Sequence, residues 1–490
     1  MTITVLAVYL LAVLTIGLAS HRGSRPTGED YFVAGRTIGP FVLLMSLFGT
    51  NMTSFTILGA SGEAYHTGIG TFAKMASISA LLIPATTFFV GTRLWALGKR
   101  HGFVTQVEFF RARWESDRVG LLLFLVLVAL LVPYILIGVM AGGVIIQGVT
   151  GAPLWVGNLV ITVVVLAYVL YSGMRGTARV NTFQTLVFMV FGATTVAVVV
   201  YRMGGLGAAM ATLGEVRPEV LAREGLISPV NSLTYLFMPL SMGMFPHIFA
   251  HWLTAKRASH FRYTVTLMPL CIAFVWLPMV VMGVLGNIDF PGLRGPEANS
   301  ILIRMIDLHA PGFLVGFLAA GVFAASMSSL DSQVLSLGTM FTQDIVRHYG
   351  FQDRMSERQV LLAGRLFVAA ILLLTFVISI VTDRSIFKLG IWSFTGFAAL
   401  FPVVLAALFW RRSTKHGAMA AILAVAALWT WLFLAGRNTP NYTLAGTGVM
   451  PVTLIIAASA AAMVVVSLLT APPTAATVER FFPSRPAEGS

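Results

Sequence analysis

The stretch Leu43–Gly62, LLMSLFGTNMTSFTILGASG, is apolar enough to cross a bilayer, yet Gly49, Thr50, Asn51, Thr53 and Ser54 interrupt it near its middle. A second stretch, Tyr235–Leu253 (YLFMPLSMGMFPHIFAHWL), is interrupted by Pro239, Gly243 and Pro246. Proline removes a backbone donor and leaves helical carbonyls without partners. At membrane depth such irregular backbone survives only where it lines a cavity or packs in protein. Paired broken helices at matching places in two halves of a chain point to the solute and ion site of a secondary transporter.

The rest of the chain fits a polytopic membrane protein. Of 490 residues, 57% are hydrophobic and 10% charged, too apolar for a soluble domain. The net charge of +13 does not describe a nucleic-acid face, because the basic residues lie in short loops between apolar spans. One cysteine, Cys271, gives no disulfide framework and no Cys metal site. A span takes about 20 apolar residues. Thirteen are read: 2–19, 39–64, 70–97, 119–147, 153–172, 178–204, 233–254, 263–287, 311–346, 358–382, 385–410, 414–435 and 448–470. Span one has no basic n-region and no A-x-A site after it, so it reads as a retained helix.

Basic loops follow every odd-numbered span: Arg22, Arg25 and Arg36; Lys99, Arg100, Arg111 and Arg113; Arg175 and Arg179; Lys256, Arg257 and Arg262; Arg347, Arg354 and Arg358; Arg411, Arg412 and Lys415. This places the N-terminus outside and the C-terminus inside. Spans two and seven each begin a group of five. Five is odd, so the groups run in opposite directions. The expected organisation is an extra N-terminal helix and inner loop (1–38), a first repeat (39–204), an outer loop (205–232), a second repeat (233–412), two C-terminal helices (413–470) and a cytoplasmic tail (471–490). The tail is short and Pro-rich and reads as disordered. Val104–Arg113 reads as an amphipathic helix on the inner surface, and Asn299–Leu308 as a short outer helix.

Ala324–Asp344 (AASMSSLDSQVLSLGTMFTQD) lies within span nine. Ser328, Asp331 and Ser332 stand at i, i+3 and i+4, on one side of a helix. Serine hydroxyls can bond back to the preceding turn, but an aspartate at mid-bilayer costs about 3 kcal/mol. Grouped oxygens of this kind suit a hard monovalent cation, though serines also serve as packing contacts between helices.

Read together, GEDYFVAGR (Gly28–Arg36), broken span two, SGMRGTARVNTFQ (Ser172–Gln184), AASMSSLDS with FTQDI after it, and GFAALFPVVLAALFWRR (Gly396–Arg412) closely resemble the sodium:solute symporter family. The resemblance runs over about residues 5–420. It implies an all-α, LeuT-type five-plus-five inverted repeat with one helix added in front and others behind. It implies Na⁺ as coupling ion, held by the carbonyls of Gly49, Met52 and Ala325 and the hydroxyls of Ser328 and Ser329. Five neutral oxygens can replace a hydration shell and still release the ion. The family usually has Thr-Asp near the start of span six, where that Asp can serve a second sodium; here the pair is Val180-Asn181. Asp331 stands where the family often has a small or hydroxyl residue. The expectation is that Asp331 and Asn181 face each other, with Asp331 binding a second Na⁺ beside Ser332 or carrying a proton.

The solute pocket is expected at the two breaks and spans three and eleven, with Asn51, Ser54, Thr56, Met75, Phe245, His247, Trp392 and Phe394 as candidates. Sugar carriers of the family hold Gln and Glu where Thr56 and Met75 fall, which disfavours a sugar. An apolar, aromatic pocket beside broken-helix N-termini favours a small organic anion, an amino acid or a vitamin. Lys74 is expected to snorkel and Glu63 to be solvated. An enzyme is disfavoured, since no G-x-S-x-G, H-E-x-x-H or P-loop occurs. The competing readings are a proton-coupled carrier using Asp331, and a transporter-like sensor working with a separate partner. The partners expected are the solute, Na⁺ and the bilayer of a bacterial plasma membrane, with no nucleic acid.

Overall fold

A computed structural model describes residues 2–20, 33–222, 226–382, 385–437, 439 and 442–483. Arg22, Arg25 and the GEDYF part of the first motif lie outside the described residues. The regular elements of the described residues are all helices, apart from one isolated parallel bridge between Ile38 and Ala255. Among the described residues, nine helices are long and apolar enough to cross a membrane, or up to eleven if each bent pair is one span. The two bent pairs are Pro40–Asn51 with Phe55–Thr67, turning by 58°, and Pro229–Gly243 with Pro246–Leu253, turning by 51°. These are spans two and seven, broken where glycine, proline and hydroxyl residues accumulate. The shorter apolar helices Thr2–Gly17 and Leu154–Val169 fall on spans one and five. Between spans five and six, Gly173 takes φ 59°, a left-handed conformation that a side chain resists.

Burial sorts the helices. In Gly312–Arg347, span nine, 83% of the most apolar window is buried inside the protein. The corresponding share is 22% for Glu357–Val381 and 28% for both Lys415–Gly436 and Pro451–Leu469. Span nine is therefore the central post, and spans ten, twelve and thirteen present leucine and valine outward, as a lipid-facing surface requires. This explains why the hydroxyl-rich helix is the innermost: its polar atoms find partners only in the middle.

Two sequence expectations are corrected. The helix Gln106–Trp114 does not lie on the surface; Val107, Phe109, Phe110, Arg111, Arg113 and Trp114 are buried. Its positive charges are drawn inward by acceptors. Arg111 Nη1 donates to Asp344 Oδ1 at 3.1 Å, and Thr105 Oγ1 donates to Asp344 Oδ2 at 2.7 Å. Arg113 donates to the carbonyls of Ala407 and Trp410 and to Ser413 Oγ. The tail is likewise ordered over Ala475–Phe481. Phe481 stacks against Phe103, 6.1 Å between centroids, and Phe482 lies 5.1 Å from the Arg113 guanidinium. The expected short outer helix is present as Ile301–His309.

Phe481 is 2% exposed, so Phe481→Ala is expected to cost about 3 kcal/mol of local docking energy. Trypsin cleavage at Arg480, measured over time in detergent, should accelerate; an unchanged rate would show that the tail helix is held by something else.

Candidate functional site

The site is assembled where the break in span two meets the middle of span nine. The first half-helix ends at Asn51. Met52 leaves helical geometry (φ −87°, ψ 107°), so its carbonyl departs from the ladder. Ser328 Oγ donates to the carbonyl of Gly49 at 2.6 Å, and its own helix offers the carbonyl of Ala325 at 3.5 Å. Three of the five expected sodium ligands thus share one hydrogen-bonded group. Ser329 Oγ accepts from Gln333 Nε2 at 2.6 Å. The approach of the helices is close: a Cβ added at Gly49 would overlap Thr185 Oγ1, which already donates to the carbonyls of Met45 and Asn181.

One turn further along span nine a second polar group forms. Asn181 Nδ2 donates to Ser332 Oγ at 2.8 Å, and His251 Nε2 lies 3.1 Å from the same oxygen. Asn181 therefore meets Ser332 and not Asp331 as expected. The fully buried Asp331 carboxylate instead lies toward the Tyr168 hydroxyl, without a well-formed hydrogen bond to it, while the Tyr9 hydroxyl donates to Met327 Sδ at 4.0 Å. Gln184 reaches both tyrosines and also lacks a well-formed partner. The helical pitch explains the split: i+3 and i+4 lie on opposite sides of the i direction by tens of degrees, enough to divide Asp331 from Ser332.

The expected solute residues are brought together only in part. Phe245 stacks on His247 (5.1 Å), and Phe394 packs edge-on to Phe55 (4.8 Å) and to Tyr134 (5.0 Å). Both ring nitrogens of His247 are buried without partners. Ser54 Oγ donates to Ser326 Oγ at 2.7 Å, tying the break to span nine. Thr56 and Met75 are buried and Asn51 is half-buried. Trp392 stands apart, stacked on Tyr442 and lining a cavity of about 890 Å³.

Lys74 and Glu63 line the same cavity. Neither snorkels nor is solvated: each is 7% exposed, and Lys74 Nζ donates to Glu63 Oε1 at 3.3 Å. Tyr134 and His251 were not among the sequence candidates. Tyr134 packs on Phe245 and Phe394, and its buried hydroxyl has no well-formed hydrogen bond. His251 repeats His247 one helical turn later in FPHIFAHWL, a spacing that could have marked it.

The sodium:solute symporter family model matches residues 31–424. The chain belongs to the sodium:solute symporter family. This symporter is 25% identical over 457 residues to an osmoregulated proline transporter of Bacillus subtilis (strain 168), covering 90% of each chain. It is 25% identical over 443 residues to the sodium/pantothenate symporter of Escherichia coli (strain K12), covering 87% of this chain and 89% of that one. In fold it resembles a Na⁺-coupled sialic acid symporter in a substrate-bound outward-open state, with TM-score 0.78 and 17% identity over 96% of this chain and 98% of the other. It also resembles Mhp1, a nucleobase-cation-symport-1 family transporter, with TM-score 0.61 and 13% identity over 93% and 99%. The symporter is thus a LeuT-like membrane transporter and not an enzyme.

Proposed function

We propose that the protein carries a small organic solute — an organic anion, an amino acid or a vitamin — into a bacterial cell across the plasma membrane together with Na⁺. The observation that carries this reading is the Ser328–Gly49 bond, which joins span nine to the break in span two. Na⁺ held by the carbonyls of Gly49, Met52 and Ala325 and the hydroxyls of Ser328 and Ser329 would tie the same two helices. A cation that binds better when they are joined shifts the population toward the joined, outward-facing state. Solute then binds over Phe245, His247 and Phe394 on one side and Asn51, Ser54, Thr56 and Met75 on the other. Tyr134 belongs to the aromatic cluster, and its buried hydroxyl without a partner is a donor that the solute can use. Release inside follows when the Na⁺ ligands separate into a low-sodium cytoplasm.

Asp331 is proposed to hold a second Na⁺ on its own side of span nine, apart from the Ser332–Asn181 pair. Support comes from its burial without a countercharge, since a buried carboxylate without a partner is costly and a cation relieves it.

The test is uptake by proteoliposomes under an inward Na⁺ gradient, across amino acids, monocarboxylates, vitamins and sugars. The expected result is Na⁺-dependent accumulation of one class that persists when the pH gradient is collapsed. Accumulation that needs a pH gradient and ignores Na⁺ would replace this reading with a proton-coupled carrier.

A further inference from the structure

The cavity of about 890 Å³ is walled by segments that the charge bias of the loops assigns to the outer side: Glu63 and Lys74 around the turn after span two, Asn231 before span seven, Phe387 and Trp392 in span eleven, and Tyr442 after span twelve. Three cationic side chains, Lys74, Lys388 and Arg437, and one carboxylate, Glu63, line it. A concave wall with an excess of positive charge focuses field and concentrates anions. It also runs against the usual shortage of basic residues on the outer side of a membrane protein.

Lys74 is the built part of this wall. Its ammonium is buried, lies 5.6 Å from the Tyr235 ring centroid and 5.8 Å from that of Phe387, and donates to Glu63 at 3.3 Å and to Asn231 Oδ1 at 3.4 Å. Charge-assisted bonds normally close to about 2.7–2.9 Å, so both contacts are long. An ammonium has three donors and these contacts use two. We infer that Lys74 anchors an outer site for the carboxylate of the solute, with Phe387, Trp392 and Tyr442 covering its apolar part. This rests on the symporter reading and narrows it to carboxylate-bearing solutes. A monocarboxylate uses Lys74 alone. An amino acid uses Lys74 for its carboxylate and Glu63 for its ammonium, exchanging one ion pair for two.

The test is binding to the purified full-length chain in detergent with saturating Na⁺, read as thermal stabilisation by acetate, pyruvate, benzoate, L-alanine and L-proline against the corresponding amides. The expected result is that at least one acid stabilises and its amide does not. Lys74→Met should then weaken that acid at least tenfold, Lys74→Arg should retain most of the affinity, and both should keep the wild-type shift produced by Na⁺ alone. Glu63→Gln separates the sources: it weakens an amino acid and spares a monocarboxylate. Should Lys74→Met fold poorly, Glu63→Gln/Lys74→Met removes both charges together and carries the same expectation for the acid. An acid and its amide that bind equally, acids that all fail to bind, or undiminished acid binding in Lys74→Met would overturn the inference. Acid binding that depends on Lys74 without any Na⁺-driven uptake would leave the outer site standing and refute the symport reading alone.

Discussion

Ser328→Ala is expected to raise the Na⁺ concentration for half-maximal uptake by about 10- to 100-fold, with a far smaller change in solute affinity at saturating Na⁺. The estimate follows from the proposed ligand set. A polar contact to a charged group contributes about 1.5–3 kcal/mol, and each 1.4 kcal/mol is tenfold in affinity. Alanine removes one of five ligands and also the donor that occupies the Gly49 carbonyl at 2.6 Å. That carbonyl is then left facing a methyl group at the point where the broken helix meets span nine. Ser329→Ala should act in the same direction, since Ser329 Oγ is in the proposed ligand set and carries the Gln333 contact. Thr339→Ala is the control. Its hydroxyl donates to the Leu335 carbonyl of its own helix, so it tests span nine without touching the ion site. Sodium titrations of uptake in proteoliposomes measure the effect. A Ser328→Ala curve that overlays wild type would remove the serine from the coordination sphere.

Much of this site was legible because broken helices advertise themselves. Gly49 and the hydroxyl run after it, and Pro239, Gly243 and Pro246, violate the membrane rule that every backbone group be satisfied within its segment. The bends fall where those residues are. Long-range partnerships were another matter. Arg111 and Arg113 read as surface charges because nothing local shows that Asp344 and the end of span eleven will receive them. Glu63 and Lys74 stand eleven residues apart on either side of a turn, and only the packing of spans two and three brings the pair together. Tyr134 is one of two aromatics, with Phe124, in a long apolar helix, a pattern shared by countless packing residues. Ser328, Asp331 and Ser332 stand at i, i+3 and i+4, but a helix face is broad enough to serve two different neighbourhoods.

That division makes Asp331→Asn the sharper experiment on coupling. The carboxylate is wholly buried, and among the described residues the side chain it lies toward is neutral, the hydroxyl of Tyr168. A buried charge without a countercharge destabilises the fold unless an ion or a proton accompanies it. If the companion is Na⁺, asparagine abolishes the need for it at almost constant volume. The Na⁺-free protein should then be at least as stable as wild type, while the stabilisation produced by Na⁺ shrinks. At a concentration of about 100 Kd one lost site removes about 2.7 kcal/mol of linkage stabilisation. The Hill coefficient for Na⁺ in uptake should fall from near two toward one, because it cannot exceed the number of sites. Charge moved per solute, measured by current and flux together, should fall by one. If a proton is the companion, the Na⁺-induced shift and Hill coefficient stay as they were, and the loss appears in the pH dependence of uptake. An Asp331→Asn protein unchanged in all four readouts, the Na⁺-induced shift, the Hill coefficient, the charge moved per solute and the pH dependence, would mean that the carboxylate does not take part in coupling.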